Sequence, residues 1–280
     1  MEHPAIVEGN VAVITGGASG IGLAVARALS DRGMRVCIAD LKQDALDAAT
    51  ETLRGDAIGV VTDVANVSSV EALRDAVLDR FGRVDLLMNN AGTGGGGPSC
   101  FAGADQWRRI LGVNLWGVLN GMQVFGELML DQGTPGAIVN TGSKQGLTNP
   151  PGNPAYNTSK AAVRRITESL AAELLAREGS RVTAHLLVPG FTYTGMISKA
   201  LPTRPPGAWT SEQVADRLLE RMGRGDFYII CPDNEVTEAM DHARMRWNLN
   251  DIVENRPALS RWHPDFEHAF AEFMNAVETP

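Results

Sequence analysis

The sequence predicts a doubly wound α/β fold, in which helices cover both faces of a parallel sheet. Short, mainly apolar runs alternate along the chain with stretches in which apolar residues recur at helical spacing. Continuous apolar runs are typical of strands that are buried on both faces, and the stretches between them are long enough to carry a helix across the sheet. A length of 280 residues suffices for one large domain of this class or two small ones.

The strand–helix pairs can be assigned in chain order. The first joins residues 11–14 to residues 21–32 through a glycine-rich turn. The later pairs are residues 35–40 with 43–53, 57–61 with 68–81, 84–88 with 105–130, 136–140 with 155–177, and 182–188 with a broken helical stretch after Gly195. Each such pair is a unit from which a parallel sheet is built.

The last quarter of the chain departs from this alternation. A proline-rich surface connection at residues 202–206 leads to a helix at 211–222, with Thr210 or Ser211 as its N-cap, and to a strand at 226–231. Beyond it, helical spacing at 234–247 and 265–274 accompanies a set of large aromatic residues, Trp247, Trp262, Phe266, Phe270 and Phe273. We therefore predict a main domain at residues 1–231 and a helical C-terminal extension at 232–280, packed on that domain or on a neighbouring subunit.

Composition narrows the classes of partner. The net charge of −8 has the wrong sign for binding nucleic acid, and no apolar run is long enough to span a membrane. The N-terminus lacks a basic, apolar leader, so we expect a cytoplasmic location. The cysteines and histidines are scattered without a CxxC or HExxH pattern, so we expect neither a disulfide framework nor a metal site.

A glycine-rich turn follows the first predicted strand and opens the first helix. Glycine at positions 16, 20 and 22 permits a tight turn, close approach of a pyrophosphate and packing of the helix on the sheet, while the free N–H groups of the helix attract the anion. The sequence therefore predicts a dinucleotide bound by Gly16, Ser19, Gly20, Ile21 and Gly22. The alternative is an ordinary strand-to-helix turn.

Asp40 ends the second strand, where a carboxylate accepts hydrogen bonds from the adenosine ribose hydroxyls. It would repel a 2′-phosphate, and no arginine follows at position 41, although Lys42 is close. We therefore expect NAD, with NADP as the alternative. Asp40 could otherwise be a solvated strand end or a helix cap.

Four further segments fall at predicted strand ends: Thr62-Asp63-Val64, Asn89-Asn90-Ala91-Gly92, Ser143 followed by Tyr156-Asn157-Thr158-Ser159-Lys160, and residues 189–194, which read PGFTYT. Together with the glycine turn, they resemble the short-chain dehydrogenase/reductase family over residues 8–231. Thirteen positions separate the serine from the tyrosine, and four separate the tyrosine from the lysine.

The resemblance implies a seven-stranded Rossmann-type sheet with the cofactor lying across the carboxyl ends of the strands. It implies that Asp63 and Val64 hold the adenine, that Asn90, Ala91 and Gly92 form the floor beneath the cofactor, and that Pro189, Gly190, Thr192 and Thr194 lie at the nicotinamide. It also implies that Asn114 organises a proton relay through water. The residues alone give no reason to prefer Asn114 over Asn120.

The chemistry of hydride transfer indicates how the other polar residues act. Negative charge develops on the substrate oxygen, so the site needs a proton donor and hydrogen bonds aimed at that oxygen. We expect Tyr156 to be the general acid and base and Ser143 to hold the substrate oxygen. The phenol would be acidified by Lys160, one helical turn later, together with the cationic oxidised nicotinamide, and the Lys160 ammonium could also reach the ribose hydroxyls of the nicotinamide half. In isolation, the same residues are more often an exposed aromatic with its neighbour and a turn serine.

The substrate side is expected to be roomy and apolar. The loop at 93–98 is poor in side chains, prolines stiffen residues 150–154, and Leu147 and Asn149 could face the pocket. An apolar lid is expected from Phe191, Tyr193, Met196, Ile197 and Leu201. These features favour a bulky hydrophobic or aromatic secondary alcohol or ketone.

The leading prediction is an NAD-dependent alcohol dehydrogenase or carbonyl reductase acting as a homodimer or homotetramer. One alternative is a non-catalytic dinucleotide sensor, although such proteins tend to lose the tyrosine or lysine. Others are an NADP-dependent carbonyl or 3-oxoacyl reductase, and a dehydratase or epimerase of nucleotide sugars, which would need a different glycine turn and a larger C-terminal domain.

Overall fold

The computed structural model describes residues 2–94, 99–195 and 201–278. In this part of the chain, one sheet contains seven strands: β1 (Val11–Thr15), β2 (Arg35–Asp40), β3 (Ala57–Val61), β4 (Leu86–Asn89), β5 (Gly136–Thr141), β6 (Val182–Val188) and β7 (Tyr228–Ile230). They are all parallel and lie in the order β3-β2-β1-β4-β5-β6-β7. The chain reverses its direction of travel across the sheet between β1 and β4, which is where doubly wound sheets bind ligands. The predicted fold class is confirmed.

The helices of the described residues are α1 (Gly20–Ser30), α2 (Gln43–Thr50), α3 (Val67–Phe81), α4 (Ala104–Leu111), α5 (Gly117–Asp131), α6 (Gln145–Thr148), α7 (Pro154–Ala176), α8 (Ser211–Gly223), α9 (Glu238–Val253) and α10 (Glu267–Glu278). A π-helical segment, Gly112–Trp116, joins α4 to α5, so the helix predicted at 105–130 is interrupted. The short helix α6 was not predicted.

Both faces of the sheet are covered because alternate side chains of each strand enter different clusters. Ile14 packs with Leu29 and Leu218 on one face, whereas Val13, the residue before it, packs with Leu73 and Phe125 on the other. All six side chains are 1% exposed or less, and each buried side chain of this size contributes about 1.5–3 kcal/mol. The two clusters stabilise the sheet from both faces and so hold the carboxyl ends of its strands in fixed positions.

Thr210, rather than Ser211, caps helix α8. Gln213 N donates to Thr210 Oγ1 at 3.2 Å, and Thr210 N donates to Gln213 Oε1 at 2.9 Å. This reciprocal capping box satisfies two backbone groups at the start of the helix.

The residues beyond β7 form a helical layer with a small core of its own, which we call the C-terminal segment (232–278). Trp247 is buried beneath Phe270 and Phe273, with ring centroids 5.3 and 5.2 Å away. The Arg256 guanidinium lies 4.3 Å from the centroid of the Trp247 ring, and Trp247 Nε1 donates to Ser260 Oγ at 2.8 Å. Helix α9 of this segment contacts α6 in the main body.

The domain boundary at residue 231 stays a prediction, because the contacts just described do not define where an independently folding unit would end. No helix among residues 2–94, 99–195 and 201–278 has the length and apolar character that a membrane span requires.

Candidate active site

A cavity of about 1040 Å³ opens at the carboxyl ends of the strands. It is lined by most of the predicted site residues, namely Gly16, Ser19, Gly20, Ile21, Asp40, Asp63, Val64, Asn90, Ala91, Gly92, Ser143, Tyr156, Lys160, Pro189, Gly190, Thr192 and Thr194. Its volume lies at the upper end of the range for small-molecule sites, which suits a dinucleotide together with a substrate. Of the predicted residues, Gly22 and Asn114 lie behind this lining.

The glycine turn leaves no room for side chains at two positions. A Cβ at Gly16, whose φ is +62°, would lie 2.8 Å from Ala91 Cα, and a Cβ at Gly22 would lie 2.3 Å from the Gly16 oxygen. The Ser19 side chain makes no capping hydrogen bond at the start of α1. The exposed N–H groups of that helix therefore face a cradle that fits a phosphate group.

Two side chains hold this turn against β4. Asn90 Nδ2 donates to the Thr15 oxygen at 3.1 Å and to the Gly16 oxygen at 3.2 Å. Thr15 Oγ1 accepts from the backbone N–H groups of Asn90 and Ala91, at 3.0 and 3.2 Å. Sequence reasoning missed the role of Thr15, although its position directly before the glycine turn is a usable signal.

The Asp40 carboxylate is fixed at the cavity wall by backbone groups. Its Oδ2 accepts from Ala18 N at 3.2 Å, and its Oδ1 accepts from Leu41 N at 2.8 Å. Each oxygen retains further acceptor capacity for a hydroxyl donor in the cavity. A Cβ at Gly17 would lie 2.7 Å from Ile38 Cβ, so the turn has no space there for a basic side chain.

Asp63 and Val64 contribute in different ways to the adjoining wall. Asp63 Oδ1 accepts from Ala65 N at 3.0 Å, which shapes the turn after β3. Val64 is 7% exposed, and its side chain fills the space left by Gly117 on α5. Both residues line the same cavity as Asp40, and their predicted contact with the adenine stays a prediction.

Tyr156 and Lys160 lie one turn apart on α7. Lys160 is 4% exposed, its Nζ donates to the Thr141 oxygen at 2.7 Å, and Nζ lies 5.8 Å from the Tyr156 ring centroid. Burial lowers the pKa of Lys160 to about 8, so its charge is retained at neutral pH and lost in mild alkali.

The expected acidification of Tyr156 by Lys160 together with an oxidised nicotinamide stays a prediction. Burial raises the pKa of the Tyr156 phenol, and the opposing effect is a hydrogen bond with the Ser143 side chain. The Lys160 ammonium instead binds a backbone carbonyl at the end of β5. The contact between Ser143 and Tyr156 brings together the two hydroxyls that were predicted to meet one substrate oxygen.

Asn114 and Asn120 have different surroundings. Asn114 is fully buried, accepts from Thr93 N at 2.7 Å and donates to the Thr93 oxygen at 2.9 Å and to Ser159 Oγ at 3.0 Å. Asn120, in the first turn of α5, donates to the Val64 oxygen at 2.8 Å. Asn114 lies in the π-helical segment, whose altered hydrogen-bond spacing is frequent at functional sites.

On the opposite side of the cavity, Thr192 and Thr194 follow β6. Thr192 is 6% exposed and forms an isolated parallel bridge with Trp209. Thr194 packs beside Gly20 of the turn, 3.3 Å from the position that a Cβ there would take. This segment therefore spans the cavity from the end of β6 to the start of α1.

The family model for the short chain dehydrogenase family matches residues 10–205. The chain belongs to the short-chain dehydrogenase/reductase family. It is similar to 1-deoxy-11-beta-hydroxypentalenate dehydrogenase of Streptomyces exfoliatus, with 34% identity over 90% of this chain and 93% of the relative. It is also similar to 3-oxoacyl-[acyl-carrier-protein] reductase of Synechocystis, with 36% identity over 66% and 75%.

A solved short-chain dehydrogenase/reductase of Burkholderia phymatum, crystallised with NAD, superposes with a TM-score of 0.81 at 37% identity. The match covers 89% of this chain and 96% of that one. Membership in the short-chain dehydrogenase/reductase family makes the protein an oxidoreductase that transfers hydride between a nicotinamide dinucleotide and an alcohol or ketone.

The substrate side of this short-chain dehydrogenase/reductase differs from the expectation. Phe191 lines the cavity, but Leu147 packs into an apolar cluster with Val163, and Asn149 accepts a hydrogen bond from Asn157. The Tyr193 hydroxyl donates to the Pro202 oxygen at 2.9 Å instead of facing the main cavity. Met196 and Ile197 lie outside the described residues, as does most of the glycine run at 94–97.

Several cavity residues were missed by sequence reasoning. Polar and charged side chains at Lys144, Gln145, Asn153, Arg108 and Arg109 contribute to the lining. Arg109 Nη1 donates to Thr93 Oγ1 at 3.2 Å. No motif marks these positions, because the turn of α4 and the loop after β5 bring them to the cavity from separate parts of the chain.

Proposed function

We propose that this short-chain dehydrogenase/reductase is an NAD-dependent dehydrogenase that interconverts secondary alcohols and ketones. The observation that carries the choice of NAD is the Asp40 carboxylate, held by Ala18 N and Leu41 N at the wall of the cavity. A 2′-phosphate beside it would meet a like charge, and Gly17 cannot be replaced by a basic residue without displacing Ile38. NADP is the alternative cofactor.

The chemistry follows from three side chains. Bound NAD supplies the hydride acceptor. Tyr156 exchanges the hydroxyl proton of the substrate, while Ser143 donates a hydrogen bond to the same oxygen. The buried Lys160 ammonium is close enough to support a phenolate when Tyr156 loses its proton, and it can bind ribose hydroxyls instead of the Thr141 oxygen.

Asn114 is proposed to position the proton relay rather than to touch substrate. Its amide binds both backbone groups of Thr93, next to Gly92. A Cβ on Gly92 would lie 3.6 Å from Asn114 Oδ1 and 3.8 Å from Lys160 Nζ, which places the asparagine beside the lysine. A water held there could connect Lys160 to solvent.

The substrate is proposed to have an apolar, bulky body that packs on Phe191 and a polar group near Gln145 and Asn153. Asn153 Oδ1 is buried at the cavity and has no hydrogen-bond partner among the described residues. A buried carbonyl oxygen without a partner costs about 1–3 kcal/mol, so a substrate hydroxyl that donates to it would gain affinity.

A second candidate is an NADP-dependent 3-oxoacyl reductase, which the Synechocystis relative favours by its name. A non-catalytic sensor would have no need for the Ser143, Tyr156 and Lys160 set. The net charge of −8 makes docking of an acidic carrier protein unfavourable.

The test is a screen of reduced-nicotinamide absorbance with NAD or NADP against cyclohexanol, its vicinal diol, phenylethanol and sterols, with an acyl-thioester reduction run in parallel. We expect turnover with NAD and a bulky secondary alcohol, faster for the diol than for cyclohexanol. Turnover restricted to NADP and the thioester would support the second candidate. Tight NADH binding without any turnover would favour the sensor.

We also propose a cytoplasmic homodimer or homotetramer. Trp116 at the end of the π-helical segment and Leu175 on α7 are 55% and 89% exposed, which is more apolar surface than these helices need to leave uncovered. The C-terminal segment directly follows the last strand. Subunits that packed against this strand to form a tetramer would therefore also meet the C-terminal segment. Light scattering of the purified protein distinguishes monomer, dimer and tetramer.

A further inference from the structure

Lys144 follows Ser143 and connects the end of β5 to the C-terminal segment. Its Nζ lies 2.6 Å from Asp241 Oδ2 and 3.4 Å from Asp233 Oδ2. The side chains of Lys144, Asp233 and Asp241 are 19%, 9% and 6% exposed. One ammonium therefore faces two carboxylates in a largely dry place, directly beside a predicted catalytic serine.

The path of this side chain is shaped by the turn after β6. A Cβ at Gly190 would lie 2.8 Å from Lys144 Nζ, so only glycine leaves room for the lysine to cross that turn. Lys144 N also donates to the Pro189 oxygen at 3.3 Å. Ser143 Oγ accepts from Gln145 N at 3.2 Å, so the position of the serine hydroxyl depends on the backbone that carries Lys144.

The C-terminal segment is hydrogen-bonded to two parts of the main body. Asn248 Nδ2 on α9 donates to the Leu147 oxygen at 3.3 Å, which fixes α6 after Ser143. Asn234 N donates to the Gly207 oxygen at 3.0 Å, and Asn234 Nδ2 donates to the Pro206 oxygen at 2.7 Å. Helix α6, which follows Ser143, and residues 206–207 are thus bound to one helical layer.

Burial makes the ion pairs of Lys144 consequential. A buried charge that loses its partner is strongly destabilising, and the surrounding chain moves to restore solvation or pairing. Burial raises the pKa of the Asp241 carboxyl, and the Lys144 ammonium opposes this effect. Loss of either partner would therefore be felt first at residues 143–149, which are the shortest link to the cavity.

We propose that Lys144 is a positioning residue of the active site, through which Asp233 and Asp241 of the C-terminal segment fix the Ser143 hydroxyl at the substrate oxygen. The proposal rests on the catalytic role assigned to Ser143 above. The C-terminal segment is then part of the catalytic architecture, although none of its residues lines the cavity among the described residues.

The chain offers a matched control for this proposal. Glu238, in the same first turn of α9, binds Arg217 and Arg221 of α8 at 2.7 and 3.0 Å. These pairs also hold the C-terminal segment on the main body, but they lie on the side of α8 rather than beside Ser143. Glu238→Gln therefore weakens docking without touching Lys144, whereas Asp241→Asn removes one charge that faces it.

The experiment compares Lys144→Met, Asp241→Asn, the double variant and Glu238→Gln with the natural protein. The substrate is the secondary alcohol with the fastest turnover in the screen, and NADH affinity is followed by fluorescence. We expect kcat to fall by about tenfold to a hundredfold in the first three, as small displacements of catalytic groups do. KM and NADH affinity should change by less than about threefold, the double variant should match Lys144→Met, and Glu238→Gln should keep full kcat.

An equal loss of kcat in Glu238→Gln would show that weaker attachment of the C-terminal segment is enough to lower kcat, and it would overturn the proposal. Unchanged kcat in folded Lys144→Met would also overturn it. If Lys144→Met does not fold, the nearly isosteric Asp241→Asn decides. If no alcohol is turned over, the proposed function fails separately, and hydrogen exchange of residues 143–149 decides the positioning role. Exchange there should be faster in Asp241→Asn than in Glu238→Gln, and equal exchange would contradict it.

Discussion

The two ends of the cavity are built by different means. Around the glycine turn, the wall of the cavity consists mainly of backbone at positions without side chains. The Asp40 side chain in this wall is held by a backbone group, since it accepts a hydrogen bond from Ala18 N, only 22 residues away. Beside Ser143, the wall of the cavity consists mainly of side chains. One of them, Lys144, binds Asp233, which is 89 residues away in the sequence.

This difference corresponds to the two ligands, because the dinucleotide is common to the family whereas the substrate differs between its members. A backbone-made cradle fits the phosphates of any dinucleotide and depends on a few neighbouring residues. A side-chain-made wall depends on which distant elements pack together, so it can differ between members of one family. The dinucleotide end and the substrate end should therefore respond differently to substitution.

The largest effect is expected at the substrate end, from loss of one oxygen atom. Tyr156→Phe removes the proposed proton donor while leaving the ring in place, so kcat should fall by about 10²–10⁴-fold with little change in NADH affinity. The control is Tyr228→Phe, whose hydroxyl donates to Glu168 Oε1 at the surface. Comparable turnover by the two variants would refute the assignment of Tyr156.

At the dinucleotide end, one added methyl group should do the most damage. Gly22→Ala places a Cβ 2.3 Å from the Gly16 oxygen, and relieving this overlap should cost about 1–3 kcal/mol of stability and most of the NADH affinity. Gly126→Ala on α5 meets nothing within 4 Å and should be neutral or stabilising. Thermal unfolding and fluorescence titration measure both quantities; normal NADH binding by Gly22→Ala would show that the turn is not the cradle.

The opposite edge of the sheet provides a reference that should affect stability alone. His3 Nε2 and His185 Nε2 lie 3.0 and 2.9 Å from Thr183 Oγ1. Burial, followed by the charge of His185, lowers the pKa of His3 from 6.5 to about 4. The folded chain therefore favours neutral His3, and this stability is present above pH 6.5 and is lost as the pH falls towards 4.

Urea unfolding should accordingly show a loss of roughly 2 kcal/mol from His3 between about pH 7 and about pH 5. His3→Gln should lose less over the same interval, since glutamine does not titrate, and should bind NADH normally at neutral pH. An identical acid loss in both proteins would contradict the assigned pKa. The exposed His242→Gln variant is the control.

The smallest effect is expected from the Asp40 side chain. Asp40→Ala removes the proposed acceptor for ribose hydroxyls, and NAD should bind about tenfold more weakly, in keeping with a hydrogen bond to a charged group. Discrimination against NADP should narrow as the like charge is removed. Asp44→Ala, on the exposed first turn of α2, should alter neither affinity. An unchanged NAD to NADP ratio in Asp40→Ala would remove this residue from the ribose site.

Most of the residues that line the cavity around the glycine turn could be predicted from the sequence. The glycine spacing, Asp40 and the Asn90 turn each lie directly after an apolar strand, so their convergence follows from the parallel sheet. The substrate end was predicted less well. Leu147 and Asn149 turn away from the cavity while Lys144, Gln145 and Asn153 face it, because the loop after β5 folds as helix α6 against α7.

The sequence by itself determined the doubly wound sheet, the glycine cradle and the pairing of Tyr156 with Lys160, since all of these arise from short-range patterns that are repeated or closely spaced. Only the tertiary structure decided that Asn114 binds Thr93 while Asn120 binds Val64. It likewise decided that burial raises the pKa of Tyr156 and that Lys144 joins the C-terminal segment. These three features depend on which side chains the fold brings together and shields from water, and no local sequence pattern carries that information.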